Sequence, residues 1–531
     1  MTATLDNSYD FVIVGSGINS LVCAALLAKS GKSVAVLERS DRAGGCIRSE
    51  KLTEPGFTHD VLSAWHPLFV LSPAYAELGP DLHERGLIYL NTDTPTASIS
   101  PGGVATVLTT SRETNIQTFE SLHPGDGDGY QESLAAIESS ADLTFGLLGG
   151  ELWRFATVKL LLKEVRQRGF HGTVKFFGSA FESCRSWLNS HFRSDAEKTL
   201  LAPWILHTGL SPDAAISGHM GKLIAFSLEV AGMPVVKGGS AGLVTALTTL
   251  IEDHNGTIIC DADVHRVTTY NGVANGVVVG GGESFLAKCA VICNVTPTQL
   301  YGRLLKDDVV PDSIRVEAEN YRYGRADMQI HLALSAPPNW SDPALNTVPM
   351  IHVTEGINSI VKSIAEAESG LLPTNPTLVV GQPTALDPSR APDGKWILWI
   401  QLQELPARVI GDALEMIETS PDGEWTNEIR ELYADRIIDR LSSVIPALSD
   451  LIIGRRVLSP RDLETLNINL VGGDPYGGDC SIDQFFLWRP LRSTKNHETI
   501  IKNLYQIGAS THPGPGLGAG SGYAVAKMLG A

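Results

Sequence analysis

No C-x-x-C pair occurs in this 531-residue chain, and its seven cysteines, at 23, 46, 184, 260, 289, 293 and 480, are scattered and odd in number. A disulfide framework, a zinc ribbon and a redox dithiol are excluded on that ground, and a reducing compartment is the natural reading. Positive charge is also short. Lys and Arg total 41 against 59 Asp and Glu, a formal charge of −18, which opposes broad contact with a polyanion and excludes nucleic acid as a partner. Long apolar runs are missing as well: the most apolar early segment, Leu21 to Ala28, falls well short of the roughly 20 residues that cross a bilayer. Met1 to Asp10 is polar and acidic, with neither the basic region nor the apolar stretch of a secretion signal. Metal-ligand spacing, a nucleophile elbow and a self-similar period are absent too. A cytoplasmic protein without a structural metal is expected.

What is present is a folded, enzyme-sized body. The apolar share is 43 % and the charged share 19 %, near the average for globular proteins. The length exceeds what one hydrophobic core serves, so two or more lobes are expected.

The first forty-eight residues carry the strongest signal. Phe11 to Val14 is a short apolar, β-branched run that stops at Gly15, as a strand buried on both faces does. Leu21, Val22, Ala25, Leu26 and Ala28 then recur at helical spacing through Ile18 to Ser30, closed by Gly31. Ser33 to Leu37 forms a second strand ending at Glu38. The turn of this βαβ unit reads Gly15-Ser16-Gly17-Ile18-Asn19-Ser20. Its first glycine permits the tight turn, and its second lets the backbone approach a pyrophosphate at the positive end of the helix. Ser20 departs from the fingerprint, standing where Gly or Ala is usual. Glu38 lies 21 residues past Gly17, the interval of the acid that binds a ribose diol, and it disfavours a 2′-phosphate. Dinucleotide binding follows.

The next segment, Arg39-Ser-Asp-Arg-Ala-Gly44-Gly45-Cys-Ile-Arg48, resembles the flavoprotein superfamily that contains amine oxidases and phytoene desaturases. At the far end a strand at Asn503 to Ile507 enters Gly508-Ala-Ser-Thr-His-Pro-Gly-Pro-Gly-Leu-Gly518-Ala-Gly-Ser-Gly522, followed by an apolar helix to Leu529. So many glycines between strand and helix mark close approach of backbone to a ligand. Together the two loops resemble the phytoene desaturase-like branch of FAD oxidoreductases. Lys237-Gly-Gly-Ser-Ala-Gly-Leu243, Gly256 to Val264, Asn294, Ser459 to Leu463 and Phe486 to Pro490 look family-like in turn. The resemblance implies FAD as cofactor, with Gly44 and Gly45 beside the pyrophosphate, Val264 meeting the adenine through its backbone, and either Arg42 or Arg48 facing the pyrophosphate. It also implies a fold: a Rossmann-type FAD-binding domain, discontinuous in sequence (1–95, 215–300 and 445–531), with a second mixed-sheet and helical substrate domain (96–214 and 301–444).

Strands at Ala326 to Ser335 and Trp396 to Leu402 suggest a sheet in that second domain. The glycines between Gly280 and Glu283 read as a hairpin turn, since no helix follows. A single dinucleotide fold leaves no evident NAD(P)H site, so electrons would pass to oxygen, a quinone or another acceptor. Glu151 to Lys175 mixes Arg154, Lys159, Lys163, Arg166, Arg168 and Lys175 with Trp153, Phe155 and Leu160 to Leu162. This basic amphipathic pattern suits a solvated lid helix or peripheral contact with an anionic membrane.

Flavin chemistry asks the protein mainly to position a substrate and shape the electrostatics. Gly56 to Phe69 lies where related flavoproteins wrap the ring, which brings forward Trp65 and His66, the latter as a general base near neutral pH or as a structural hydrogen-bonding group. His512, in the glycine loop, serves either catalysis or loop architecture. Tyr476, Asp479 and Arg489 are candidates for the substrate side. The expected activity is an oxidoreductase removing hydride from a lipophilic or medium-sized organic substrate. A redox-neutral isomerase or hydratase is the first alternative. The second, a prenyl-escort-like binding protein, is opposed by the intact fingerprint.

Overall fold

The structure, a computed structural model, describes residues 7–531; residues 1–6 of the polar N-terminal stretch lie outside the described residues. The chain builds two seven-stranded sheets. In the first, the order is Val264–Tyr270, Val273–Val279, Ser284–Asn294, Ser8–Val14, Val34–Leu37 and Thr257–Ile259, with Leu504–Ile507 beside the Asn294 end of the long strand. The pairings around Ser8–Val14 are parallel, as is that of Leu504–Ile507, while 264 to 294 folds as an antiparallel meander whose second turn carries Gly281 and Gly282 at φ +89° and +88°. The parallel strands read as continuous apolar runs because both faces are covered. Phe11, Ile13, Val34, Val36 and Ile292 face one core; Val12, Val14, Leu37, Val291 and Cys293 face the other.

The helix Ile18–Lys29 is buried along nearly its whole length between Ala241–Asp253 and the C-terminal Gly520–Met528. That contact explains one glycine of the terminal loop. A Cβ on Gly522 would sit 1.9 Å from the Asn19 carbonyl oxygen, so no other residue allows the two helices to meet.

The second sheet runs Ile452–Leu458, Ala326–Leu334, Trp396–Leu405, Leu378–Gly381, Met350–Val353, Thr96–Ile99 and Thr106–Leu108. Its two long central strands alternate. Met328, Ile330, Leu332, Leu398, Ile400 and Leu402 enter an apolar core with the helix Asn427–Leu441. Register pairs Gln329 with Gln401 and His331 with Trp399 on the opposite face. Strands 326–334 and 396–405 lie where the sequence suggests. One boundary differs: Ile452–Leu458, expected in the cofactor domain, is the edge strand of the second sheet, because it pairs antiparallel with Ala326–Leu334.

Candidate functional site

The fingerprint turn is held from behind by Glu38. This buried carboxylate accepts from the Ser16 amide (2.9 Å), the Ser16 hydroxyl (2.6 Å) and the Ser40 amide (2.9 Å). The Ser16 hydroxyl in turn accepts from the Gly44 amide at 3.0 Å. One acid thereby ties together the first turn, the end of the second strand and the Gly44-Gly45 turn. The turns touch: a Cβ on Gly45 would stand 3.0 Å from Gly17 Cα, and one on Gly44, at φ +125°, would stand 2.5 Å from the Ile47 carbonyl.

Asn294 is a second hub. Its Nδ2 donates to Ser20 Oγ at 3.0 Å, and its Oδ1 lies 2.3 Å from the place a Cβ on Gly508 would take. The serine that breaks the fingerprint is therefore a hydrogen-bond acceptor, small enough for the helix and polar enough to hold the asparagine between the two glycine loops. Gly508 donates to Ser521 Oγ at 3.1 Å, and Gly522 to Asn19 Oδ1 at 3.0 Å.

These loops wall a cavity of about 300 Å³. Of the residues expected to hold the dinucleotide, Gly15, Gly17, Ile18, Asn19, Glu38, Arg39, Gly44, Gly45, Arg48, Val264 and Gly508 line it. Ser20 and Gly518 do not; Ser20 sits behind Asn294, and Gly516 and Leu517 stand in the wall near the place foreseen for Gly518. Arg42 and Arg48 both reach the wall, each paired with Glu50, but Arg42 keeps half its side chain exposed whereas Arg48 is 13 % exposed, its Nη2 2.6 Å from Glu50. The Val264 carbonyl accepts from Arg303 at 2.9 Å.

Trp65, His66 and His512 lie off this wall. His66 is fully buried, with Nδ1 2.9 Å from the Tyr89 hydroxyl, and burial pushes its pKa down to about 4. As placed, its ring is turned to Tyr89 and away from the cavity wall. His512 is likewise buried and held down to about 4 by the same cause; its carbonyl accepts from His497 at 2.8 Å. Trp65 packs with Trp399 around Gly381. Tyr476, Asp479 and Arg489 also stand off the wall: the buried Arg489 guanidinium ties the Tyr476 carbonyl (2.7 Å) to that of Ala509 (2.7 Å), Tyr476 donates to Leu206, and Asp479 pairs with Arg322.

Among the wall residues that were not foreseen are Asp327, Gln329 and Gln401 of the second sheet. Gln401 Nε2 donates to Asp327 Oδ2 at 2.6 Å, and Trp399 Nε1 to Gln329 Oε1 at 3.1 Å. Their signal was legible, since Ala326-Asp-Met-Gln-Ile-His-Leu332 places a polar residue at every second position of an otherwise apolar strand.

Comparison with known proteins agrees with this architecture. Residues 13–76 match the NAD(P)-binding Rossmann-like domain family. The chain is 24 % identical to pyridine nucleotide-disulfide oxidoreductase domain-containing protein 2 of Rattus norvegicus, over 99 % of this chain and 94 % of that protein. It is 26 % identical to a zeta-carotene-forming phytoene desaturase of Myxococcus xanthus, over 95 % of this chain and 90 % of the other. Among solved structures, an oxidoreductase of Methanosarcina mazei superposes with a TM-score of 0.60 at 16 % identity, covering 98 % of this chain and 99 % of that one. Fold, cradle and relatives define the class: a two-sheet oxidoreductase with a Rossmann-type dinucleotide domain. Within that class the chain is similar to the phytoene desaturases along nearly its whole length.

Proposed function

We propose that the protein is an FAD-dependent dehydrogenase or oxidase that takes hydride from a lipophilic or medium-sized organic substrate and passes the electrons to oxygen, a quinone or another acceptor. The single observation that carries this reading is the Glu38 cradle, in which one buried acid organises two glycine turns and the end of the second strand along one cavity. The close-packed glycines fit a group that must be approached by bare backbone. Gly15, Gly17 and Glu38 would hold the ADP half, Gly44, Gly45 and Arg48 the pyrophosphate, and Gly508 with Ser510 the far end. FAD supplies the hydride-accepting ring when bound. Purified protein is expected to be yellow, and acid precipitation to release FAD into the supernatant. A colourless protein that cannot be reconstituted with FAD would sink the reading.

Glu38→Ala removes the carboxylate meant for the ribose diol and orphans the Ser16 and Ser40 amides. Hydrogen bonds to a charged group are worth about 1.5 to 3 kcal/mol, so FAD binding should weaken roughly 10- to 150-fold. Flavin occupancy under dilution measures this, and wild-type retention would assign the acid another role.

Peripheral membrane contact is supported by the helix Phe155–Ala180, which bends at Gly169. Phe155, Leu162 and Phe170 are 69 %, 62 % and 77 % exposed, and the same helix bears Lys159, Lys163, Arg166, Arg168 and Lys175 against Glu164 alone. In an acidic protein that combination suits an anionic lipid surface. Co-sedimentation with phosphatidylglycerol vesicles is expected, with none on phosphatidylcholine and a loss in Phe155→Ser/Phe170→Ser. Equal behaviour with both lipids would leave the helix as a solvated lid.

A further inference from the structure

The polar face of the second sheet continues past the cofactor cavity. His352 pairs in register with Val379, and Val379 with Gln401 of the cavity wall. Residues opposite one another on paired strands share a face, so His352 lies two strand spacings, about 10 Å, beyond that wall. Against it packs the short helix Ala202–Thr208. Trp204 stacks on His207 with ring centroids 4.6 Å apart and meets His352 edge to face at 4.9 Å, and His207 Nε2 lies 3.0 Å from His352 Nε2. Gln403, on the same face of its strand as Gln401, brings Nε2 to 3.5 Å from His207 Nδ1. None of these four side chains lines the cofactor cavity.

The hydrogen bonds of this cluster do not close. Trp204 Nε1, His352 Nδ1 and Gln403 Oε1 have no partner, although all three residues are buried. Buried polar atoms are almost all paired, and a group of exceptions calls for an explanation. The proton count identifies what is missing. Gln403 Nε2, as placed, donates to His207 Nδ1, which puts the His207 proton on Nε2; that proton is given to His352 Nε2, so the His352 proton stands on Nδ1. Two donors, an indole N–H and an imidazole N–H, and one acceptor, an amide oxygen, are left over. They are the complement of one hydroxyl group, which has two lone pairs and one proton. His207 is only partly buried, so the cluster borders accessible space.

We propose that Trp204, His207, His352 and Gln403 form a subsite outside the cofactor cavity that takes a hydroxyl group at the remote end of the substrate. Trp204 and His352 donate to its oxygen, Gln403 accepts its proton, and His207 fixes the tautomer of His352. This rests on the oxidoreductase reading and adds the chemistry of the substrate's far end. A bare hydrocarbon leaves all three atoms unpaired, and an ammonium offers no lone pair to the two N–H groups. Sites built to hydrogen-bond reject analogues that lack the matching group.

The test uses the flavin-bound protein and four unbranched probes of one length, hexan-1-ol, 1-methoxypentane, heptane and hexylamine, with binding measured by titration calorimetry. The alcohol should bind at least about tenfold more tightly than heptane or hexylamine. The ether, which accepts but cannot donate, should fall between. Trp204→Phe keeps a ring in place and removes one donor; it should weaken the alcohol roughly 3- to 10-fold, the worth of one hydrogen bond, and leave heptane unchanged. Gln403→Met should erase the margin of alcohol over ether. Loss of all four probes in one variant would mark misfolding, and the other variant then decides. Heptane binding as tightly as the alcohol, which is the result expected if water fills the site, overturns the inference, as does an unchanged ranking in both variants or no binding by any probe. A protein that takes up no FAD defeats the oxidoreductase reading instead, before any probe is added, so the two failures are distinct.

Discussion

Arg390→Met should destabilise the fold by about 3–5 kcal/mol, the range for removing one partner from a buried ion pair. Arg390 is completely buried. Its Nη1 lies 2.5 Å from Asp60, its Nε 3.1 Å from Asp387, and its Nη2 donates to the Val236 carbonyl at 2.6 Å. Both acids are themselves committed. Asp60 accepts from Ser49 Oγ and the Ser240 amide, and Asp387 from the Gly238 amide. One guanidinium thus joins the Ser49–Glu50/His59–Asp60 hairpin, the Gly238-Gly239 turn and the 387–390 segment. Methionine fills the volume but leaves two buried carboxylates without a cation. Urea unfolding of FAD-saturated protein at pH 7.5 should show a much lower midpoint, and Arg390→Lys should recover only part of it, because a point charge cannot reproduce the fork. An unchanged midpoint for the Met variant would show that this network adds nothing to stability.

A steep loss of stability is expected as pH falls from about 6.5 to 4. Burial lowers His59, His66, His207, His219 and His512 to about 4, and His331 and His352 well below the ordinary range. A depressed histidine means that the unfolded chain takes up its proton near 6.5 while the native state refuses it until about 4. In that window the unfolded state binds more protons, so stability falls as pH falls, and the full contribution is present only above 6.5. Four carboxyls act in the opposite direction: Asp327 and Glu404, raised to about 8 and about 7, with Asp474 and Glu197, all through burial. The seven histidines outnumber the four acids, so the net effect is a loss of stability as pH falls. Urea midpoints at pH 7.5 and pH 5 measure the difference; equal midpoints would mean that these histidines are hydrated in the native state.

Local signals reached far in this chain. Strand, glycine turn, helix and terminal acid are consecutive, so their spacing alone marks the βαβ unit, and Gly15, Gly17 and Glu38 are found in one wall. The 280–282 hairpin and the long strands at 326 and 396 were legible for the same reason, because period and turn chemistry are properties of adjacent residues. The edge strand Ile452–Leu458 was not, since its membership depends on a partner more than 100 residues away.

Side-chain fate was harder to read than backbone. His66 sits beside a proline in a segment that approaches the cavity, and nothing in its neighbours reveals that its ring turns to Tyr89 and away from water. Ser20 looked like a flaw in a fingerprint until Asn294, 274 residues on, was seen to bind it. Arg390 announced nothing, as Asp60, the acid it meets besides the neighbouring Asp387, lies 330 residues away. By itself, then, the sequence determined the dinucleotide fold and its glycine turns, because each is written in short contiguous stretches whose backbone geometry follows from glycine, β-branched and acidic residues at set intervals, while the oxidoreductase class was implied by the resemblance those stretches carry. Only the tertiary structure decided which polar side chains face the cavity and which histidines lose their charge, because both depend on the burial and hydrogen-bond partners that distant strands and loops bring together.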